Sequence, residues 1–430
     1  MEATHARRPA DRRDQILDAA AEAFGRRGFD GVTVAELAES VGVTAPALYR
    51  HFGAKDQILS AVTTGTLDRL VAVAESHVGP LDGVDGVDGV DGVDGLDQLT
   101  RDLTTEVLDR PWQVVAYLRE RHRWAADTTR PTQREVELFG AVDQVLDRAV
   151  AGLTASDRRC RMVAMVGVLR GVAERAPRLS RPAADAFIAD AITAVLRAAP
   201  VHALAPGRLH PSHPETWRLP PSPRERILAA ALPLFRSRGF DGVGIGEIGD
   251  HAGVGASNVS RYFGSKQEVL VDIYDRVGAR VEVAVDDAVA SASDADHALQ
   301  NLLEAYTEVA FGAADLVVVV SENRGALPRS EIARLRRRDR RVADIWRGVI
   351  AALRPELRPA ETTTVVAGVI ALVNSFPRHE PDALPDPSAV VPLARAFVGA
   401  AWAGPDGPSP GLRPRGWRGP GPTGQRRSCS

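Results

Sequence analysis

The sequence predicts an all-α protein in which one helical unit occurs twice in tandem. Residues 16–59 align with residues 227–270 without a gap. Both stretches place apolar residues at helical spacing, and strand signals are few apart from 317–320, which we place in a buried helix. Because self-similarity over this length indicates a duplicated structural unit, we expect two copies of one domain architecture.

The composition is that of an ordinary globular chain. Its 430 residues suffice for two or three domains of about 150 residues each. The net charge of −3 gives little long-range attraction for nucleic acid, so any DNA contact has to come from local patches. Two distant cysteines, Cys160 and Cys429, suggest neither a disulfide framework nor a zinc site. With no signal peptide and no apolar run of about 20 residues, we expect a cytoplasmic protein with no membrane partner.

The start of copy 1 predicts a helix-turn-helix. Thr33 and Glu36 form a capping-box pattern at the start of a short second helix. Gly42 then supplies a tight turn, and a third helix is predicted over 44–50. A short helix, a glycine turn and another short helix form the geometry that places a recognition helix in the major groove of DNA.

Copy 2 repeats this pattern with different cap residues. Gly244 takes the place of Thr33 as a tolerable N-cap, and the third helix is predicted over 255–261. Ser265 and Glu268 predict a capping box at the start of the fourth helix. We therefore expect the same three-helix arrangement in both copies.

These residues carry a family resemblance: the pattern is similar to the N-terminal domain of TetR-family transcriptional regulators. Copy 2 departs from it at Gly255, which replaces a threonine, and at Ser260, which replaces a tyrosine. The resemblance implies a DNA-binding repressor and not an enzyme, with later helices that hold a small ligand and form a dimer interface. Copy 1 matches through Thr33, Leu37, Gly42, Thr44, Leu48, Tyr49, His51, Phe52 and Lys55.

The repeat and the resemblance together divide the chain into domains. The predicted segments are helix-turn-helix domain 1 at 10–60, helical effector and dimerisation domain 1 at 61–198, a linker at 199–222, helix-turn-helix domain 2 at 223–271, helical effector and dimerisation domain 2 at 272–403, and a disordered tail at 404–430. An iterated Asp-Gly-Val stretch at 81–97 lacks the ligand spacing of a calcium loop, so we interpret it as a disordered acidic insert.

The two predicted recognition helices offer different chemical groups to DNA. In copy 1, the methyls and the hydroxyl of residues 44–47 suit contact with thymine methyls. In copy 2, Ser257 and Asn258 face the bases, and an asparagine can form two hydrogen bonds with adenine. The resemblance assigns phosphate contacts to tyrosine and lysine in each copy and to the histidine of copy 1, and a basic arm at 7–13 precedes the first helix. The predicted DNA-binding residues are Arg12, Thr33, Thr44, Ala45, Pro46, Ala47, Tyr49, His51 and Lys55 in copy 1, and Gly244, Ser257, Asn258, Ser260, Arg261, Tyr262 and Lys266 in copy 2.

An alternative function stays open for copy 2. Since Gly255 and Ser260 depart from the family pattern, the second helix-turn-helix could have lost contact with DNA. The chain would then be a ligand-sensing or protein-interaction module in its second half.

The later part of each copy predicts a ligand-binding domain. Residues 114–123 resemble the C-terminal half of actinobacterial TetR regulators of lipid and sterol catabolism, and the tandem layout resembles the repressor of an actinobacterial mammalian-cell-entry (Mce) lipid-transport operon. The resemblance implies a small apolar effector, such as an acyl-CoA thioester or a sterol-derived lipid; the alternative is that the same side chains are ordinary core. The predicted ligand-binding residues are Trp112, Tyr117, Glu120, Trp124, Tyr306, Glu322 and Arg324.

The last apolar helices of the two copies predict pairing within one chain. They lie at 160–173 and 183–198 in copy 1, and at 361–376 and 388–402 in copy 2. Packed together, they would form a four-helix interface and make the chain an intrachain pseudo-dimer, open to higher assembly. The recognition helices would then lie about 34–36 Å apart on double-stranded operator DNA whose half-sites differ.

Two remaining patterns indicate no separate function. Residues 244–249 match a dinucleotide-binding fingerprint, but no strand precedes them. The arginine-rich run at 334–341 is interpreted as a solvated helix face. No enzyme motif occurs, and we expect neither a metal nor a cofactor.

Overall fold

The two copies fold into matching sets of helices. The computed structural model describes residues 12–78, 90–121, 130–175, 177, 179–199, 222–323, 326–378 and 387–400. Copy 1 comprises α1 (Arg12–Arg27), α2 (Val34–Ser40), α3 (Ala45–His51), α4 (Lys55–Ser76), α5 (Val90–Asp109), α6 (Pro111–Glu120), α7 (Arg130–Ala149), α8 (Ala155–Glu174) and α9 (Arg181–Leu196). Copy 2 comprises α10 (Pro223–Arg238), α11 (Ile245–His251), α12 (Ala256–Tyr262), α13 (Lys266–Ala290), α14 (Ala295–Gly312), α15 (Ala314–Glu322), α16 (Arg329–Leu353), α17 (Pro359–Ser375) and α18 (Val390–Gly399). The predicted all-α class is confirmed, since these described ranges contain no strand.

The start of α2 is a complete capping box, as the sequence predicts. The Thr33 hydroxyl accepts the Glu36 backbone N–H at 3.2 Å, and the Glu36 carboxylate accepts the Thr33 backbone N–H at 2.8 Å. That backbone hydrogen bond, aided by the Arg27 guanidinium, lowers the pKa of the Glu36 carboxyl to about 2. The two bonds satisfy backbone donors that the first turn of a helix leaves without partners.

The capping box predicted in copy 2 is wrong in one half. The Ser265 hydroxyl accepts the Glu268 backbone N–H at 3.2 Å, as expected. The Glu268 carboxylate, however, accepts the backbone N–H of Gly264 at 3.0 Å, one residue before the cap. The same reach occurs in copy 1, where the Gln57 side chain accepts the Gly53 N–H, because the chain bends sharply before α4 and α13.

A glycine makes the helix-turn-helix turn in each copy. Gly42 has φ of +68° and Gly253 has φ of +65°, both in the left-handed region that favours glycine. Each turn also closes with a backbone hydrogen bond, from Val43 N–H to Ala38 C=O and from Val254 N–H to Gly249 C=O, at 2.9 Å in both copies. The predicted turn is thus present twice with the same geometry.

Each helix-turn-helix has its own small core, closed by a helix of the larger domain. In copy 1, Phe24 and Leu48 are fully buried, and Ala116 of α6 packs into the same cluster. In copy 2, Phe235 and its neighbours are buried with Val319 of α15. The helix-turn-helix and the larger helical domain therefore pack against each other, through α6 in copy 1 and through α15 in copy 2.

The larger core runs through both copies. It contains residues of α4–α9 together with residues of α13–α18, and α8 packs along α17 while α9 packs along α18. The Ser375 hydroxyl donates across this junction to the Val163 carbonyl oxygen at 3.0 Å. The four helices fall on the ranges predicted to pair, except that α18 ends at Gly399. The chain thus forms a four-helix interface between its own two halves.

The predicted acidic insert is shorter than the sequence suggested. Helix α5 begins at Val90, so 90–97 belong to a helix and not to a loop. Leu96, Leu99 and Leu103 are buried at helical spacing. Their burial explains why the end of the Asp-Gly-Val stretch is part of α5. Residues 79–89, most of the linker and the tail beyond 400 lie outside the described residues, where those predictions stand untested.

The arginine-rich run is partly a structural seam. Arg334 pairs with Asp275 of α13 through two bonds of 2.6 and 2.8 Å, and Arg341 pairs with Asp286 at 2.7 Å. The prediction of a purely solvated face is therefore wrong, although Arg336, Arg337 and Arg340 are exposed. One side of the run binds α16 to α13, because acidic residues of α13 fall at matching helical spacing.

Among the described helices, none combines the length and the apolar character of a membrane span.

Candidate nucleic-acid interface

The recognition helix of copy 1 presents a small apolar tip and an aromatic side chain. Thr44 is the N-cap of α3, and its hydroxyl accepts the Ala47 backbone N–H at 3.4 Å, so its own O–H remains a donor. Leu48 anchors the helix in the core and is fully buried. The next residue, Tyr49, is 48% exposed, which is unusual for so large a side chain. Pro46 and His51 are also exposed.

Copy 2 presents a more polar tip in the same place. Gly255 caps α12 without a side chain, and Val259 replaces the leucine anchor. Ser257 is exposed and Asn258 half-buried, and neither side chain has a protein partner in the described part of the chain. An unpartnered amide at the tip of a recognition helix is free to bond with a base edge.

Each recognition helix carries an arginine near its C-terminal end, Arg50 in copy 1 and Arg261 in copy 2. Only Arg261 is among the predicted DNA-binding residues. Arg261 stacks on the Tyr262 ring at 5.1 Å. Arg50 occupies the matching position of α3 and is exposed. The gapless repeat was the signal that could have found it, because it aligns the two arginines directly.

The predicted N-terminal basic arm is partly helical. Helix α1 begins at Arg12, so Arg12 and Arg13 lie in its first turn and do not precede it as predicted. Arg12 donates to the Val41 carbonyl oxygen at 3.3 Å, and Arg13 lies over the Phe52 ring at 5.0 Å. Both can still face the DNA backbone from there, while the rest of the arm at 7–11 lies outside the described residues.

The two lysines direct their ammonium groups towards backbone oxygens of their own copy. Lys55 donates from Nζ to the carbonyl oxygens of Phe29 and Val32, at 3.0 and 2.9 Å. Lys266 donates to the equivalent Phe240 and Val243 oxygens, both at 2.7 Å, and burial lowers its pKa. An ammonium has three donors, so at most one per lysine remains for a phosphate. Their main contact is with the turn between the first two helices.

Two further predicted contacts lie at the N-cap of the second helix in each copy. The Thr33 hydroxyl is bonded to Glu36 as the N-cap of α2. Gly244, its counterpart, leaves open space where a side chain would lie. At this position the two copies therefore offer DNA a bonded hydroxyl and a bare backbone.

The predicted ligand residues of copy 1 lie mainly where the domains meet. Glu120 is 3% exposed and its carboxylate accepts the Phe29 backbone N–H at 2.8 Å, so it contacts the helix-turn-helix and is not a free group in a pocket. Trp112 packs beside α1 with the Arg26 guanidinium 4.6 Å from its ring. Burial raises the pKa of the Tyr117 hydroxyl. Trp124 lies outside the described residues.

In copy 2 one predicted ligand residue is placed in the core. The Tyr306 hydroxyl bonds with the Asn374 side chain, and its ring meets Trp346 edge-on at 6.0 Å. The side chain of Glu322 and residue Arg324 lie outside the described residues. Sequence alignment pairs Glu120 with Glu322, but the structure pairs it with Asn323, whose amide oxygen accepts the Phe240 N–H at 2.9 Å.

Comparison with known proteins agrees with this arrangement. The family described as "Bacterial regulatory proteins, tetR family" matches residues 16–62 and again residues 227–273. The HTH-type transcriptional repressor KstR2 of Mycolicibacterium smegmatis is 36% identical over 78 residues, which are 17% of this chain and 38% of that protein. The HTH-type transcriptional activator FasR of the same species is 42% identical over 62 residues, which are 14% of this chain and 28% of that protein. The matches thus span well under half of these relatives' own length.

Solved structures of bacterial regulators align with less than half of the chain. KstR2 of Mycobacterium tuberculosis aligns with 42% of this chain and 96% of its own length, with 20% identity and a TM-score of 0.36. AmtR of Mycobacterium smegmatis aligns with 45% of this chain and 89% of its own length, with 25% identity and a TM-score of 0.36. The two family matches agree with the prediction of a DNA-binding regulator and not an enzyme.

Proposed function

We propose that the chain regulates transcription by binding one operator with both of its helix-turn-helix domains, because two separate segments match the TetR family of bacterial regulatory proteins. The observation that carries this proposal is the interface of α8 and α9 with α17 and α18. In a homodimer of helix-turn-helix proteins, the dimer interface holds the two recognition helices one DNA turn apart, about 34–36 Å. Here the chain supplies both sides itself.

The operator is proposed to have unlike half-sites. At the tips of the recognition helices, Pro46 and Ala47 of copy 1 occupy the positions of Ser257 and Asn258 in copy 2. Small apolar groups suit thymine methyls, whereas an asparagine amide suits adenine. A symmetric homodimer reads a palindrome, so this chain is expected to read two different sequences in a fixed order.

Repression and its release are the finer part of the proposal. We take repression as the mode of action, and a small apolar effector, such as an acyl-CoA thioester or a sterol-derived lipid, as the releasing signal. The sequence resemblance of residues 114–123 to lipid-responsive regulators supports this class. The likeness to a repressor of an Mce operon stays a prediction.

Footprinting on the DNA upstream of the protein's own gene tests the proposal. We expect one protected region about two helical turns long, with different half-sites and one chain per site. Protection of a single half-site would favour the alternative, in which copy 2 senses a ligand or a protein and no longer contacts DNA. Failure to bind any duplex at low salt would overturn the proposal, because phosphate contacts are strongest there.

The effector is tested separately by thermal shift and DNA release. Acyl-CoA thioesters and sterol acids are compared with free coenzyme A, which shares the phosphates but lacks the apolar chain. Stabilisation by the acylated ligand alone, with release of the operator, supports an apolar effector. Equal response to both ligands, or no response, contradicts it and leaves the DNA-binding result untouched.

A further inference from the structure

The backbone of one residue in copy 1 is held from two sides. Phe29 lies in the turn between α1 and α2. Its N–H donates to the Glu120 carboxylate of α6 at 2.8 Å, and its carbonyl oxygen accepts from Lys55 of α4 at 3.0 Å. The N–H is thus bonded to the effector domain and the C=O to the DNA-binding domain, through a single residue.

Copy 2 builds the same arrangement from a different side chain. The Phe240 N–H donates to the Asn323 amide oxygen at 2.9 Å, and the Phe240 carbonyl oxygen accepts from Lys266 at 2.7 Å. A carboxylate in one copy and an amide in the other reach the equivalent backbone atom. A buried backbone N–H needs an acceptor, and in each copy the acceptor comes from the larger helical domain, although the side chain that supplies it differs.

The two links differ in charge. Glu120 is 3% exposed and Asn323 is 6% exposed, so water competes little for either hydrogen bond. A hydrogen bond to a carboxylate is about twice as strong as one between neutral groups. Asn323 also donates from its amide to Val319 of its own helix at 2.9 Å, which fixes its orientation. The copy 1 link is therefore the stronger of the two.

The position of Phe29 connects the larger domain to the recognition helix. The turn leads directly into α2 and then the recognition helix, and α6 packs against both α1 and α8. Helix α8 belongs to the interface with copy 2. We expect a shift of α6 to reach the helix-turn-helix through this buried hydrogen bond together with the other contacts of α6 with α1, among them the bonds from Gln113 to Asp18 and from Arg119 to the Gly25 carbonyl oxygen.

We propose that Glu120 and Asn323 are positioning residues for DNA binding: each fixes its helix-turn-helix to its effector domain through the amide of Phe29 or Phe240, rigidly in copy 1 and more loosely in copy 2. They touch neither base nor phosphate. The DNA-affinity part of this proposal rests on the proposed function, whereas the holding of the turn does not.

Amide hydrogen exchange on the full-length chain tests the holding of the turn. Glu120→Leu removes the acceptor and keeps a side chain of similar size, and we expect exchange of the Phe29 amide to rise roughly 10- to 100-fold. Glu120→Gln keeps an acceptor and should restore most of the protection. Asn323→Leu should raise exchange of the Phe240 amide by roughly 2- to 10-fold, since that bond is neutral. Glu304→Leu, at an exposed position of α14, is the matched control.

Operator affinity then separates positioning from mere stability. We expect Glu120→Leu to weaken binding at temperatures where the protein stays folded, and Glu120→Gln to recover it. Unchanged Phe29 exchange in Glu120→Leu, or no recovery in Glu120→Gln, overturns the proposal. If Glu120→Leu does not fold, Glu120→Gln and Asn323→Leu carry the same comparison. A wild-type chain that ignores duplex DNA contradicts the proposed function, and the exchange result still decides whether these residues hold the turns.

Discussion

Ser375 of copy 2 and Gly167 of copy 1 lie so close that a side chain on the glycine would collide with the serine. An added Cβ at Gly167 would lie 2.7 Å from the Ser375 Cβ, and one at Gly171 would collide with the Ala371 Cβ. The two helices can approach this closely only because α8 has glycines where α17 has side chains. The interface therefore joins unlike surfaces, which distinguishes it from a homodimer interface made of one surface used twice.

Filling this contact should loosen the junction between the copies. We expect Gly171→Val to lower the free energy of unfolding by about 1–3 kcal/mol, the usual cost of overpacking a close contact. Urea unfolding of the full chain measures it. The matched control is Gly140→Val in α7, where an added Cβ meets nothing within 4 Å. Equal effects of the two substitutions would contradict the close packing described for α8 and α17.

Acid should weaken the start of α2 within a defined pH window. The folded-state pKa of Glu36 is depressed to about 2, so its capping bonds contribute stability above the unfolded pKa of about 4.3. That contribution is lost as the pH falls from there towards 2. Thermal unfolding of Glu36→Gln should therefore depend less on pH in this window than the wild type does. Identical pH profiles would mean that the capping box does not form in solution.

The base-reading prediction can be tested one half-site at a time. Asn258→Ala should weaken operator binding by about 1–3 kcal/mol, roughly 5- to 100-fold, if the amide forms two hydrogen bonds with adenine. The loss should vanish when that adenine is replaced in the copy 2 half-site, and should be unaffected by changes in the other half-site. Val283→Ala, at a 62% exposed position of α13, serves as the control in gel-shift titrations. A loss that ignores the DNA sequence would argue against base recognition by Asn258.

The lysine and arginine of copy 1 should behave differently although both are cationic. Lys55→Met removes two hydrogen bonds to backbone oxygens and should cost about 1.5–3 kcal/mol of stability. Arg50→Gln removes an exposed charge and should cost little stability, while the salt slope of DNA binding falls by about one. Parallel urea melts and binding titrations over a salt series compare the two variants. If the salt slope falls in Lys55→Met and not in Arg50→Gln, Lys55 contacts a DNA phosphate despite its two backbone hydrogen bonds.

The amino-acid pattern alone is enough to predict the repeat, the helical class and the position of both helix-turn-helix motifs. These features follow from local rules: apolar spacing, the Thr33–Glu36 capping box and the turn glycines all act within a few residues. The ranges of the four pairing helices were also readable, because long apolar helices have few alternatives to burial. Local reasoning misplaced the start of α5 at Val90, the start of α1 at Arg12 and one half of the capping box at Ser265.

Only the tertiary structure decided what the individual polar side chains contact. Lys55 and Glu120 both converge on Phe29 from distant parts of the chain, and no local pattern records that meeting. The one-residue difference that pairs Glu120 with Asn323 in place of Glu322 likewise follows from how α6 and α15 pack on the first helix of each copy. Hydrogen bonds depend on positions to within about an ångström, and positions that close are set by packing across the whole domain.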